Sequence, residues 1–170
     1  NHLIHNYAKP YIAFMDGIVM GGGMGISQGA ALRVVTERTK MAMPETAIGL
    51  FPDVGGGYFL SRCPGRVGEW LALTGDTIGA GDAIENRLAD GCLPADQQAA
   101  VWEALGTQSF ASGAAVKDYV ASKFVAASAF QTSARGQIDQ YFSLGSVGEI
   151  VAALEAADSD WARATAATLR

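Results

Sequence analysis

Gly21, Gly22 and Gly23 run together, with Gly25 one residue further on, between a short extended stretch, Ile18–Met20, and a helix-forming stretch predicted to run to about Ala31. A glycine has no Cβ, so backbone can turn sharply there and approach another group closely. At a strand-to-helix junction such a run leaves backbone N–H groups free at the positive end of the helix, where they bind an anion or polarise a carbonyl oxygen. Close strand–helix packing explains the same glycines equally well. The segment does not fit G-x-G-x-x-G and no lysine follows it, so dinucleotide-binding and P-loop readings fail. The bias is regional: 16 of the 21 glycines lie at or before Gly91.

The 170 residues suffice for one domain, and 49% apolar with 17% charged residues suits a packed globular core. The longest clean apolar run, Tyr11–Met15, is far too short to span a membrane. A net charge of −5 lacks the basic field of nucleic-acid binders. Two histidines, His2 and His5, both at the very start, make histidine catalysis and a His-rich metal site poor expectations. Cys63 and Cys92 cannot form a disulfide framework and read as buried thiols of a reducing compartment.

The pattern predicts a helix tail over 1–8 and strands at Tyr11–Met15, Ile18–Met20, Leu32–Thr36, Met41–Met43 and Leu88–Cys92. A single helical turn at Pro44–Ile48 has proline at its favoured first position. Longer helices are predicted for Asp53 to about Arg62, with Asp53 as cap, then Arg66–Thr74 and Gly79–Asn86. Past Pro94 alanine dominates, with 20 in residues 95–170, and helices are expected at Ala95–Leu105, Val116–Ala127, Ser146–Ala157 and Asp160–Arg170. The expected class is α/β, with an α/β segment over 1–94 and a helical extension of the same domain over 95–170. The absence of an initiator methionine, and a closing helix without a C-cap glycine, predict a piece of a longer polypeptide.

Two carboxylates stand out, Glu45 and Asp53, each directly after a proline. Ile48, Leu50 and Phe51 lie between them, and apolar surroundings are expected to desolvate both acids and tune one as a base. Taken singly, each acid is equally explained as a helix N-terminal stabiliser. Together, beside a glycine run and without a usable histidine, they point to chemistry. Gly25-Ile26-Ser27-Gln28-Gly29 fits a serine-nucleophile elbow, but Ser27 falls in the second turn of the predicted helix and no histidine follows. Arg33, Arg38 and Lys40 read as a solvated turn, and Trp70, Trp102 and Trp161 as core.

Lys9-Pro10-Tyr11-Ile12-Ala13, the Asp16-Gly17 turn, Met20–Gly25 and above all Met43–Gly57 resemble the crotonase (enoyl-CoA hydratase/isomerase) superfamily, and within it the 3-hydroxyisobutyryl-CoA hydrolases. The resemblance covers residues 9–94 and continues at Ile138–Leu144 and Val147–Leu154. It implies a partial ββα spiral followed by a helical segment. It also implies an acyl-CoA substrate whose thioester oxygen is held by two backbone amides, the second of them on Gly22, flanked by Gly21 and Gly23. The hydratases carry a glutamate where this chain has Gly25, whereas the hydrolase pattern keeps Glu45 and adds Asp53.

The implied reaction is hydrolysis of a short branched β-hydroxyacyl-CoA, 3-hydroxyisobutyryl-CoA, in valine breakdown, with Glu45 as base or nucleophile and Asp53 orienting the substrate hydroxyl or sharing the proton work as the other half of an acid–base pair. The resemblance implies no cofactor beyond the CoA of the substrate, and no nucleic-acid or membrane partner. A homo-oligomer is left open, in the bacterial cytoplasm or the mitochondrial matrix. The first oxyanion amide and the closing helices are expected outside these 170 residues, which alone are expected to be inactive. The competing readings are an enoyl-CoA hydratase or isomerase of the same fold, a non-catalytic scaffold subunit, and a serine hydrolase using Ser27.

Overall fold

Two short strands joined by a bend are laid down twice in succession, and the second pair lies parallel to the first. The structure, a computed structural model, describes residues 1–128 and 134–170. After a single turn of helix, α1 (His2–His5), β1 (Ile12–Met15) bends at Asp16-Gly17 into β2 (Ile18–Met20), which feeds α2 (Gly22–Ser27). Then β3 (Leu32–Val35) bends into β4 (Lys40–Ala42), which feeds a 3-10 turn (Pro44–Ile48). β3 lies parallel to β1 with Leu32 opposite Ile12, and β4 parallel to β2 with Ala42 opposite Met20.

The two bends are bolted together by polar groups. The Thr39 hydroxyl donates to the Met15 carbonyl at 2.6 Å, and the Thr36 hydroxyl donates to the Asp16 carboxylate at 2.6 Å. Both threonines are buried, so these bonds satisfy groups that would otherwise be costly. Arg38 Nε donates to Asp16 at 2.9 Å, and the Arg38 and Thr36 bonds hold the Asp16 carboxyl below its ordinary range.

A short β5 (Gly91–Cys92) completes a three-stranded parallel sheet in the order β1-β3-β5. Side chains alternate across that sheet. Ala13, Met15 and Val35 enter the main core, while Leu32 and Val34 enter a second cluster with Leu93, Val101 and Val120. The main core surrounds Trp70 on α4 (Val67–Thr74), which is 1% exposed. Emptying such a site costs about 3–5 kcal/mol. Helix α3 (Gly56–Leu60) lies so close to α4 that a Cβ on Gly68 would sit 2.0 Å from the Leu60 carbonyl oxygen. After α5 (Ala80–Glu85), α6 (Gln98–Thr107) and α7 (Gly113–Ala121) come α8 (Arg135–Tyr141), α9 (Val147–Glu155) and α10 (Asp160–Thr168). Ile138, Phe142, Ile150, Leu154, Ala162 and Ala166 from these last three join the same cluster as Trp70. Ser112, Ser146 and Ser159 cap α7, α9 and α10, each accepting from a backbone N–H three residues on.

The class and most of the element order agree with the sequence, and the differences have local causes. Helix α3 starts at Gly56, not at Asp53, because Val54 and Gly55 have φ of +44° and +97°, which no right-handed helix accommodates. Its N-cap is Gly55, and Asp53 caps nothing. Helix α2 stops at Ser27, since Ala31 N–H leaves to join the Tyr11 carbonyl at 2.8 Å. Helix α7 ends at Ala121, because Val125 N–H donates to the Cys92 carbonyl at 2.8 Å and extends the sheet edge. The predicted strand at Leu88–Cys92 is confined to Gly91–Cys92. Trp102 is exposed rather than core: α6 buries Val101 and Ala104 instead, and the Trp102 ring rests 5.2 Å from that of Phe14.

Candidate active site

Parallel pairing fixes where the glycine run and the first acid meet. With Met20 level with Ala42, the residues leaving β2 and β4 emerge side by side, and Gly21 N–H donates to the Ala42 carbonyl at 3.4 Å. Three residues past Ala42 the 3-10 turn swings Glu45 back over the start of α2. A Cβ placed on Gly21 would lie 2.8 Å from Glu45 Oε1, so the carboxylate rests against the Gly21 backbone. Gly21 has φ +48° and ψ −113°, a backbone state that glycine alone adopts cheaply. Two independent constraints therefore demand glycine at this position.

Glu45 is only 7% exposed, and its Oε2 is buried with no hydrogen-bond partner among the described residues. A buried acceptor left unmade costs about 1–3 kcal/mol, so native structures retain one where something else is to fill it. Gly22, next along, is exposed, and a Cβ there would meet nothing within 4 Å. Its N–H lies in the first turn of α2, where helix geometry provides no intrahelical acceptor. Glu45 thus lies against Gly21, one residue before the exposed Gly22 at the start of α2.

Asp53 stands differently. It is exposed, in the turn that leads into α3, and its carbonyl accepts from Gly56 N–H at 2.6 Å. The turn is nevertheless tied to α2: Val54 packs so tightly on Gly25 that a Cβ there would fall 2.6 Å from Val54 Cβ. The apolar residues between the two acids do not enclose them, since Ile48 and Phe51 are 80% and 72% exposed and Leu50 is exposed too. Glu45 is therefore buried, against the Gly21 backbone rather than by these apolar residues, and Asp53 is not buried.

The other sequence candidates fall away. Ser27 is buried within α2 and its hydroxyl donates to the Met24 carbonyl at 3.2 Å, which marks it as a satisfied core hydroxyl. Arg33 makes a forked pair with Asp90, with Nη2 to Oδ1 at 2.6 Å and Nε to Oδ2 at 3.1 Å, and Arg38 pairs with Asp16. Neither forms an anion cluster with Lys40. Cys63 and Cys92 are buried, and burial pushes the Cys63 thiol up to about 11. Among the described residues no three His, Cys, Asp or Glu side chains gather as a metal-holding group, and no helix is long and apolar enough to cross a membrane.

Two adjoining hollows lie along α2 and α3. One, of about 280 Å³, is lined by Gly25, Val54, Tyr58 and residues of α1, and the other, of about 710 Å³, by Arg33, Arg62, Arg87 and Asp90. Neither is lined by Gly22, Glu45 or Asp53. The residue that sequence reasoning missed is Val54, whose side chain fills the space any side chain at position 25 would need. Nothing in the run Pro52–Gly57 signals a left-handed valine.

Comparison with known proteins places this geometry in context. Residues 1–170 match the family described as enoyl-CoA hydratase/isomerase. The mitochondrial 3-hydroxyisobutyryl-CoA hydrolase of Danio rerio is 42% identical over 187 residues, covering 99% of this chain and 46% of that protein. The small ribosomal subunit protein mS47 of Neurospora crassa is 62% identical over 74 residues, 44% of this chain and 15% of its own length. Among solved structures, a carnitinyl-CoA dehydratase from Mycobacterium thermoresistibile superposes with a TM-score of 0.87 at 39% identity, covering 98% of this chain and 48% of that one. The chain spans about half the length of the hydrolase and dehydratase relatives it matches from end to end.

Proposed function

Because the chain belongs to the enoyl-CoA hydratase/isomerase (crotonase) family, we propose that the polypeptide carrying it hydrolyses the thioester of a short branched β-hydroxyacyl-CoA, with 3-hydroxyisobutyryl-CoA as substrate. The observation that carries this reading is the buried, unpartnered Glu45 oxygen beside the open first turn of α2. The Gly22 N–H donates to the thioester oxygen as negative charge develops on it, and one such donor supplies about 3–4 kcal/mol. Glu45 either takes the proton of an attacking water or itself attacks the acyl carbon to give an anhydride that water then opens. The carbon–sulfur bond breaks, CoA leaves as thiolate and takes up a proton, and the acyl group leaves as the free acid. Asp53, exposed at the rim, orients the β-hydroxyl. CoA enters as part of the substrate, and no other cofactor is assigned.

Hydrolysis is favoured over water addition by position 25. A two-carboxylate hydratase needs an acid there, and in this chain Val54 leaves no room even for a methyl group. The similarity to the mitochondrial hydrolase of Danio rerio favours a mitochondrial over a bacterial cytoplasmic compartment.

The test supplies the product of the full reading frame with 3-hydroxyisobutyryl-CoA and with crotonyl-CoA. The reading expects free thiol from the first, lost in both Glu45→Gln and Asp53→Asn, and little hydration of the second. Rapid crotonyl-CoA hydration without thiol release would install the hydratase reading in its place. A second reading, a non-catalytic assembly subunit, draws on the similarity to the Neurospora ribosomal protein. It is favoured if the folded polypeptide turns over neither thioester.

A further inference from the structure

We propose that Val54 is a positioning residue for thioester hydrolysis, an interlock that clamps the Asp53 turn onto the helix bearing the Gly22 amide. The inference rests on the hydrolase reading above and assigns a role to a residue outside its chemistry. Asp53, Val54, Gly55 and Gly56 form a tight turn closed by the Gly56 N–H to the Asp53 carbonyl. Its two central residues have φ of +44° and +97°, the sense of a type I′ turn, which normally demands glycine, asparagine or aspartate at both. Among the described residues only Val54 and Arg87 combine a side chain with positive φ, and Val54 is the β-branched one. A β-branched residue persists in that region only where its surroundings over-determine it.

Those surroundings are visible. Val54 Cβ and Cγ2 would lie 2.6 and 2.9 Å from a Cβ on Gly25, so the valine seats directly on bare helix backbone. Gly25 is one helical turn on from Gly22, and Gly25 N–H donates to the Gly21 carbonyl at 3.0 Å. The Val54 carbonyl, which also faces Gly25, accepts from the Asn1 side-chain amide. The valine is thus held at its side chain by Gly25 and at its carbonyl by Asn1, and the strained turn it occupies carries Asp53 as its first residue. The same interlock shuts out a carboxylate at position 25, so one contact both presents the second acid and excludes the hydratase arrangement.

The experiment uses the product of the full reading frame and measures thiol release from 3-hydroxyisobutyryl-CoA. Val54→Gly removes the interlock and relieves the turn, so the fold is retained. The expected result is a fall in kcat of about 10- to 100-fold, the scale of a misplaced catalytic group, with KM nearly unchanged. Gly25→Ala collides with Val54 and lowers stability, and the pair Gly25→Ala/Val54→Gly recovers the stability that Gly25→Ala lost while keeping the low kcat of Val54→Gly. Amide exchange at Gly56, measured by mass spectrometry, rises in Val54→Gly. The proposal is overturned if Val54→Gly keeps full kcat, or if its loss appears in KM and not in kcat. It is also overturned if the paired variant is no more stable than Gly25→Ala. The unsubstituted polypeptide separates the two levels: no thiol release from it sinks the hydrolase reading itself, whereas thiol release by it alongside an unaffected Val54→Gly sinks only the interlock.

Discussion

Replacing Gly21 with alanine separates two effects that the site couples. The first is backbone: φ +48° with ψ −113° lies in a region that costs a residue with a side chain about 1–3 kcal/mol. The second is steric: the new methyl would fall 2.8 Å from Glu45 Oε1, several tenths of an ångström inside ordinary contact. The carboxylate is the far end of a flexible side chain and yields more cheaply than backbone, so stability is set by the first effect and chemistry by the second. In a domain of this size Tm falls about 2–4 °C per kcal/mol, which predicts a loss of roughly 5 °C. A carboxylate displaced toward 1 Å lowers kcat by about 10²-fold.

The control is Gly22→Ala. No atom lies within 4 Å of that Cβ and φ is ordinary, so stability holds or rises by about 0.4–1 kcal/mol as the unfolded chain loses freedom. Thermal melts of both variants read the first effect, and thiol release by Gly21→Ala in the full reading frame reads the second. Equal melting temperatures for the two variants would refute the backbone argument. An unchanged kcat in Gly21→Ala would refute the contact with Glu45.

Further outcomes follow from the scaffold. Gly68→Ala would drive a methyl to 2.0 Å from the Leu60 carbonyl oxygen, and prising α3 from α4 should lower stability by about 1–3 kcal/mol in a denaturant melt, whereas a neutral result would contradict the close packing. With the Cys63 thiol pushed up to about 11 by burial, its thiolate fraction at about pH 8 is on the order of one in a thousand. Iodoacetamide should label it only in denaturant, and rapid native labelling would place it elsewhere. The Arg38 and Thr36 bonds hold the Asp16 carboxyl below its ordinary 3.8, so their stabilisation is complete above that value and lost as pH falls through the lowered one. Asp16→Asn should therefore flatten the acid limb of the stability profile, and an unchanged limb would count against the pairing.

What was legible in the sequence was whatever rests on short-range pattern. β1 and β2 are short apolar runs separated by the Asp16-Gly17 turn, Pro44 marks the start of its turn, and the glycine run marks the β2–α2 junction. The union of Glu45 with Gly21 was legible only through the family resemblance, because it arises from parallel register between β2 and β4. Tertiary context decided the rest. Asp53 before Val54 reads as a helix cap, yet Val54 is held left-handed by its contact with Gly25, a residue 29 positions away. Ile48 and Phe51 read as a lining for the acids and are exposed instead, while Glu45 is buried against the Gly21 backbone of the other strand pair. Trp102 reads as core from its apolar helix face, but α6 buries Val101 and Ala104 and leaves Trp102 exposed.

The central claim is that the Gly22 amide and the Glu45 carboxylate address one thioester carbon. The most direct measurement is a crystal structure of the full-reading-frame polypeptide with a non-hydrolysable ketone analogue of the acyl-CoA, in which a methylene replaces the thioester sulfur. The account predicts the carbonyl oxygen about 2.7–3.1 Å from Gly22 N, with Glu45 facing the acyl carbon. An analogue bound with its carbonyl away from Gly22, and Glu45 still buried without contact to it, would contradict the account.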